Sequence, residues 1–470
     1  MKNEREKIPE MTAMDENLAR ASLTNGVHPS RANAIDFPLV TFFTLQENPT
    51  NENVRGILNK LAKFPRFRCK VEPCVEGKVE GRLRWAFSEI EYERHVFRHD
   101  EAIELDDIER VKNELLVKVL DKEIPLFDVH VIGGEKSKSA VILAIRFSHA
   151  IGDGVHAVKV LEHVASGLNG DRVKMVHFKR SAKKKTGDDV NVILKYFCEF
   201  LKSIWLFIVG FCKAVFTAVG PQDSKTIIRD VPVVWSGKRE LTSSELIALD
   251  ELKTIRASFN CTVNDVVVSC VAGALQRYMG EKNCEYAKKP STLVRAIIPY
   301  ATIPKREMEK MKDDPFTLKN LFTFVSLRLS MGPCTATERL KRTIQKTSDL
   351  KRSPEAAIVI AINAIVGKLG SAVQKQTVYD YMSRHSMVLT NVPGPIERVR
   401  LAGIEVKDIE FACANLINQV SALSYAGNLR LTMVTDPGIV KEPKLITSYF
   451  IEEIKKLKIA SDAIRSGPSL

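Results

Sequence analysis

No CxxC pair occurs in the 470 residues, and the nine cysteines are odd in number and scattered between Cys69 and Cys413. That pattern excludes a disulfide framework and a sulfur-ligated zinc site, and fits reduced thiols in a protein whose bulk faces the cytosol. No other cluster of residues stands at metal-ligand spacing, so no metal is expected. The opening stretch, MKNEREKIPE, lacks the apolar core of a secretory signal. No repeat of solenoid or propeller period is present. The most apolar part of the chain has no uncharged run longer than Ser203 to Cys212, well short of the ~20 residues a spanning helix requires.

What is present is ordinary folded-protein composition, 45% hydrophobic and 27% charged, in a length that suggests two domains. A formal charge of +13 points to an anionic partner. Strand-like and helical stretches alternate. FPLVTFFTL (37–45), RLRWAFSEI (82–90), IPLFDVHVIGG (124–134), AVILAIRF (140–147) and LVRAIIPY (293–300) read as strands. NVRGILNKLAKF (53–64), IERVKNELLVKVL (108–120), VNDVVVSCVAGALQRYM (263–279) and PKLITSYFIEEIKKLK (443–458) read as helices. The fold class is therefore α/β or α+β. Composition shifts at FKRSAKKKTGDD (178–189), which reads as a basic linker.

The segment after it, residues 191–219, places Lys195, Glu199, Lys202 and Lys213 on one narrow stripe at about 100° per residue. Trp205, Phe207, Ile208 and Phe211 belong to the broad apolar remainder. A thin charged stripe on an apolar cylinder, preceded by lysines, suits a helix lying in a membrane or droplet interface. A buried core helix with one wet edge is the alternative. Three parts follow: residues 1–178, a linker and membrane-associated helix at 179–224, and residues 225–470.

FSHAIGDG (147–154) carries the chemistry. AVILAIRF reads as a strand buried on both faces, and VHAVKVLEHVA beyond Gly154 reads as an amphipathic helix. A strand–loop–helix holds a loop rigidly, and a neutral imidazole near pH 7 can take a proton from an attacking hydroxyl. Asp153 is placed to bind the loop backbone or an arginine and so direct His149.

HxxxDG after a buried strand resembles the active-site loop of acyltransferases built on the chloramphenicol-acetyltransferase fold. Three further stretches are similar to one branch, the wax ester synthase/diacylglycerol acyltransferases. LDKEIPLFDVHVI (120–132) resembles its Pro-Leu-Trp region, with Phe127 in the tryptophan position. TVNDVVVSCVAGALQRYM (262–279) resembles its Asn-Asp helix. VLTNVPGP (388–395), LAG (401–403) and SYAGNLRLTMVTD (424–436) resemble its Asn-Val-Pro-Gly region and closing strands. The DFGWG motif of plant alcohol acyltransferases is absent. The resemblance runs over about residues 11–458. It implies two similar subdomains, mixed sheets covered by helices, with a tunnel between them.

By the same resemblance His149 is the catalytic base, Asp153 the loop-ordering acid, and Gly154 the point of close approach to the thioester. Asn264, Asp265, Asn391, Pro393 and Gly394 are supporting residues, the last three in a tight turn. The Asn-Asp pair also reads as a helix cap, with Asn264 the capping residue. Arg295 is the expected partner of Asp153. The family usually shows two histidines, and Ser148 stands in place of the first, so Ser148→His is expected to be tolerated. The implied activity is esterification of a long-chain alcohol or diacylglycerol by acyl-CoA, a co-substrate, with no further cofactor. It implies a site on the cytosolic face of a membrane, the endoplasmic reticulum or a lipid droplet in a eukaryote. A rival is a catalytically inactive lipid- or acyl-CoA-binding protein of the same fold. Nucleic acid is not an expected partner, because the lysines lack interleaved aromatics on a polar surface.

Overall fold

The computed structural model describes residues 8–19 except 13 and 17, 38–73, 83–134 except 103, and 140–175. It also describes 204, 205, 208, 209, 211, 212, 220–303 except 290, 309, 314, 316–366 and 371–466. The basic stretch 178–189 lies outside the described residues, as do Phe207 and most of 191–219.

Two large sheets organise the chain. The first runs, in spatial order, Val96–His99, Phe127–Ile132, Val141–Ser148, Pro38–Leu45, Ile404–Cys413, Val399–Leu401 and Ala165–Gly167. Its neighbours are antiparallel except for the parallel pair Val96–His99 with Phe127–Ile132. The second runs Phe322–Arg328, Arg295–Ala301, Met387–Pro393, Asn418–Tyr425, Asn428–Thr435 and Glu240–Ser243. Here the strands at 295, 387 and 418 are mutually parallel and the rest antiparallel. Mixed sheets covered by helices match the expected class.

The apolar runs are explained by double-sided burial. Along Pro38–Leu45, Leu39, Phe43 and Leu45 enter one core while Val40 and Phe42 enter another on the opposite face. Along Val141–Ser148, Leu143, Ile145 and Phe147 share the first core, and Ile142 and Ala144 the second. With side chains alternating across a strand, both faces must be apolar when helices cover both. Asn51–Leu61 and Gly154–Val164 supply residues to one face, and Leu105–Val117 to the other. The charges on this second face are paired: Arg146 is buried against its register partner Asp128, at 2.7 and 2.5 Å, and Glu410, opposite Phe42, against Lys112.

The second sheet packs on Val263–Glu281, whose described burial is continuous from Asp265 to Leu275. Val263–Glu281 is a core helix. Among the described residues, no single helix is long and apolar enough to cross a membrane. The two sheets do not divide the chain at one point. Strands Val399–Leu401 and Ile404–Cys413, late in sequence, complete the first sheet.

Candidate active site

The strand Val141–Ser148 ends at the histidine loop and the helix Gly154–Val164 begins directly after it. The loop opens as a tight turn, with the Ile151 amide donating to the Ser148 carbonyl at 2.9 Å. Asp153 closes it as the N-cap of the helix. Its Oδ1 accepts from the His156 amide at 3.0 Å and lies 2.8 Å from His156 Nδ1, while Oδ2 accepts from the Leu321 amide at 2.8 Å. One carboxylate thus fixes the loop both to its own helix and to the segment entering the edge strand Phe322–Arg328. Burial alone would raise the Asp153 carboxyl. The hydrogen bond and charge of His156, with the two amides, outweigh it and hold the group below its usual value.

Arg295 is not the partner of Asp153. It donates through Nε to Asp223 at 2.6 Å and through Nη2 to the carbonyls of both Pro221 and Arg384. Its own amide also reaches Asp223, which Ser386 contacts as well. The guanidinium belongs to a buried knot that ties residues 221–223 to the second sheet.

His149 itself is half-buried, its ring 5.3 Å from that of Phe322. Burial is the main cause that lowers its basicity. Its own backbone, Asp153, Asn320 and Asp15 oppose that lowering, and the net direction is down. The ring is therefore neutral near pH 7, the form a general base needs. Its Nδ1 is buried without a hydrogen-bond partner among the described residues, which leaves Nε2 as the nitrogen available to a substrate.

The loop's carbonyls are held from outside. Arg66 donates to the carbonyls of Ala150 and Ile151 at 3.0 and 3.2 Å. Asn320 donates to those of His149 and Ala150 at 3.0 and 3.1 Å. Both also contact Asp15, Arg66 as a two-pronged ion pair at 2.9 and 2.6 Å and Asn320 at 2.9 Å. Sequence reasoning missed all three. They are single polar residues in three distant segments; the one available cue was Arg66 lodged between Pro65 and Phe67.

Ser148 is fully buried, and the Ala150 amide donates to its Oγ at 3.3 Å. A second imidazole at 148 would have to be accommodated at this buried position. Gly154 lines an apolar cavity between the helix and the first sheet, together with Phe43, Ile145, Phe147 and Val158. Gly394 lines it from the second sheet's side. A Cβ at Gly394 would lie 2.4 Å from the Ser424 carbonyl oxygen, so only glycine fits. Asn391 and Pro393 stand in the strand Met387–Pro393, paired in parallel with Asn418–Tyr425, and not in a turn; Gly394 follows directly.

Asn264 is not the helix cap. Thr262 caps Val263–Glu281, in a reciprocal box with Asp265, whose other oxygen accepts from Thr347 at 2.6 Å. The pair Asn264–Asp265 therefore starts a helix of the second core, and the described contacts of Asp265 are with Thr262 and Thr347. In the 191–219 region, Ile204, Trp205, Ile208 and Phe211 are helical and exposed, Trp205 by 65%.

Residues 50–267 match the family model described as the wax ester synthase/diacylglycerol acyltransferase catalytic domain. Residues 318–458 match the WS/DGAT C-terminal domain. Among curated proteins, wax ester synthase/diacylglycerol acyltransferase 8 of Arabidopsis thaliana is 25% identical over 441 residues, covering 84% of this chain and 87% of that one. Number 7 of the same plant is 24% identical over 469 residues, covering 90% and 94%. Among solved structures, the wax ester synthase/diacylglycerol acyltransferase from Marinobacter aquaeolei VT8 superimposes with a TM-score of 0.58 at 15% identity, covering 91% of this chain and 95% of that one. The first condensation domain of the calcium-dependent antibiotic synthetase gives a TM-score of 0.58 at 12% identity, covering 99% and 98%. The structural likenesses establish a shared fold.

Proposed function

The chain belongs to the wax ester synthase/diacylglycerol acyltransferase family of acyltransferases, and we propose that it esterifies a long-chain alcohol or a diacylglycerol with the acyl group of acyl-CoA. The observation that carries this reading is the neutral, half-buried imidazole of His149 on a loop whose Gly154 lines an apolar cavity. Nε2 of His149 takes the hydroxyl proton as the alcohol oxygen forms its bond to the thioester carbonyl carbon. The resulting oxyanion collapses, the carbon–sulfur bond breaks, and the imidazolium returns the proton to the departing thiolate. The products are an ester and free CoA, with no redox change. The apolar lining suits an acyl or alkyl chain, and exclusion of water from such a site would favour transfer over hydrolysis.

The exposed Ile204, Trp205, Ile208 and Phe211, beside the lysines of 179–185 and 195–213, support a helix that rests in an anionic membrane or droplet surface. On that reading the enzyme works at the cytosolic face, where alcohols and diacylglycerols partition, at the endoplasmic reticulum or lipid droplets in a eukaryotic cell. The test is to supply purified protein with palmitoyl-CoA, hexadecanol and dioleoylglycerol together and to identify the ester. The wild type yields wax ester, triacylglycerol or both. His149→Ala loses ~10²–10⁴-fold in rate, the usual worth of general-base help. Turnover by His149→Ala close to the wild-type rate would refute the mechanism, and no ester from the wild type would refute the function.

A further inference from the structure

Among the described residues, no carboxylate is hydrogen-bonded to the His149 ring. Asp153, the nearest acid in sequence, spends both oxygens on His156 and Leu321. What holds His149 instead comes from three segments that the family motifs do not include. The N-terminal segment brings Asp15, a short 3-10 turn brings Arg66, and the segment before the edge strand Phe322–Arg328 brings Asn320. All three side chains are buried, Asp15 completely and the other two within a few per cent.

Their bonds converge on the backbone of one tripeptide. The carbonyls of His149, Ala150 and Ile151 are all accepted into this knot, that of Ala150 by both Arg66 and Asn320. Three consecutive carbonyls pointing at fixed donors leave the His149 backbone little freedom, and the ring direction follows from the backbone. Asn320 Oδ1, the end of the amide not spent on carbonyls or Asp15, is buried without a partner among the described residues, as is His149 Nδ1.

The N-terminal segment is secured for this task. Thr12 and Asp15 exchange backbone-to-side-chain bonds at 2.8 and 3.1 Å. Arg66 also donates to the Glu10 carbonyl at 3.3 Å, Glu16 accepts from the Leu83 amide, and Ala19 lies in the first core with Met11 and Leu18 packed against it. An isolated buried guanidinium or carboxylate is costly, so each of the two charges requires the other.

We propose that Asp15, Arg66 and Asn320 form a positioning clamp that sets the direction of His149, which makes the N-terminal segment a working part of the active site. The clamp rests on the reading of His149 as the base. Its members are positioning residues and do not touch the reacting atoms. The charged or titratable groups around His149 are then Asp153 from its own loop, Asp15 from the N-terminal segment, and Arg66 through the carbonyls; Asn320 and Phe322 are the uncharged neighbours from the edge-strand side.

The experiment compares wild type, Asp15→Asn, Asn320→Ser and His149→Ala, all with palmitoyl-CoA and hexadecanol. Asp15→Asn keeps the shape and removes the charge. Its kcat is expected to fall ~10–100-fold, as a slightly misplaced catalytic group does, while KM for palmitoyl-CoA stays within about 2-fold. The acid limb of its kcat/KM profile moves to lower pH, because Asp15 favours the protonated ring and its removal lowers the basicity of His149 further. An unchanged kcat, or a loss of kcat with the acid limb unmoved, would overturn the clamp. If Asp15→Asn does not accumulate as folded protein, Asn320→Ser decides, since it leaves the Asp15–Arg66 pair intact. A kcat loss with KM kept supports the clamp, and wild-type kcat overturns it. His149→Ala separates the two levels. If it retains turnover, the base assignment fails and the clamp with it; if it is inactive while Asp15→Asn and Asn320→Ser behave as wild type, the clamp alone fails.

Discussion

Replacing Trp205, Ile208 and Phe211 together by serine tests the membrane reading with a magnitude that the structure supplies. These side chains are 65%, 49% and 48% exposed, so about half of each apolar surface is free to enter a lipid interface. Full burial of a large apolar side chain is worth ~1.5–3 kcal/mol. Half of that for three residues sums to about 2–4.5 kcal/mol. At ~1.4 kcal/mol per tenfold, the variant's partitioning onto vesicles should weaken by ~10²–10³-fold. The assay is co-sedimentation with phosphatidylcholine/phosphatidylserine vesicles over a lipid titration, with circular dichroism as the control for folding. Ester formation with a short soluble alcohol should survive, while that with vesicle-embedded hexadecanol should fall. Vesicle binding at the wild-type level would refute the argument. So would unfolding with loss of both activities together, because the three side chains would then belong to a core.

Asp153→Asn turns an amide NH₂ toward either the His156 or the Leu321 donors. The unsatisfied contact should cost ~1–3 kcal/mol, read as a lower Tm, and turnover should fall with it; unchanged Tm and turnover would contradict the loop's description. Because the Asp153 carboxyl sits below its ordinary value in the folded state, its contribution is fully present above the unfolded carboxylate range. It is lost as pH falls through the folded value, so the wild-type advantage over Asp153→Asn should shrink on acidification. Ser148→His should lower Tm by overpacking worth ~1–3 kcal/mol and should not raise turnover; a more active, equally stable variant would show that the loop has room. Arg295→Ala strands buried Asp223 and should cost ~3–5 kcal/mol in thermal or urea unfolding, with the acid limb of the remaining activity in place; a displaced limb would tie Arg295 to His149 after all.

The strand–loop–helix around His149 was legible in sequence because its cues are local. An eight-residue apolar run, a polar motif and a 3.6-residue period each report on neighbouring residues, and double-sided burial makes the run continuous. The cap of Val263–Glu281 is legible too, in the Thr-x-x-Asp spacing of Thr262 and Asp265, with Thr262 two residues before the Asn264 that the Asn-Asp motif singles out. The polar knots were not legible. Asp15, Arg66 and Asn320 meet only after the first sheet, the 3-10 turn and the edge strand have assembled, and no periodicity links them. Arg295 was assigned by motif to the wrong carboxylate for the same reason, since Asp223 lies outside every recognisable pattern.

The strand Ile404–Cys413 zips along the full length of Pro38–Leu45, with Leu39 opposite Cys413 and Thr44 opposite Asp408. During synthesis the earlier strand leaves the ribosome long before its partner exists. Through that interval one flank of Pro38–Leu45 pairs with Val141–Ser148, and the other offers a row of unpaired amides and carbonyls flanked by Phe42 and Phe43. A nascent chain at this stage carries an open edge of the kind that recruits foreign strands, and such distant pairings close slowly. A fragment ending near residue 400 would keep that edge permanently. It should therefore aggregate rather than yield a soluble N-terminal half, and stalled or truncated translation products of this protein should depend on chaperones.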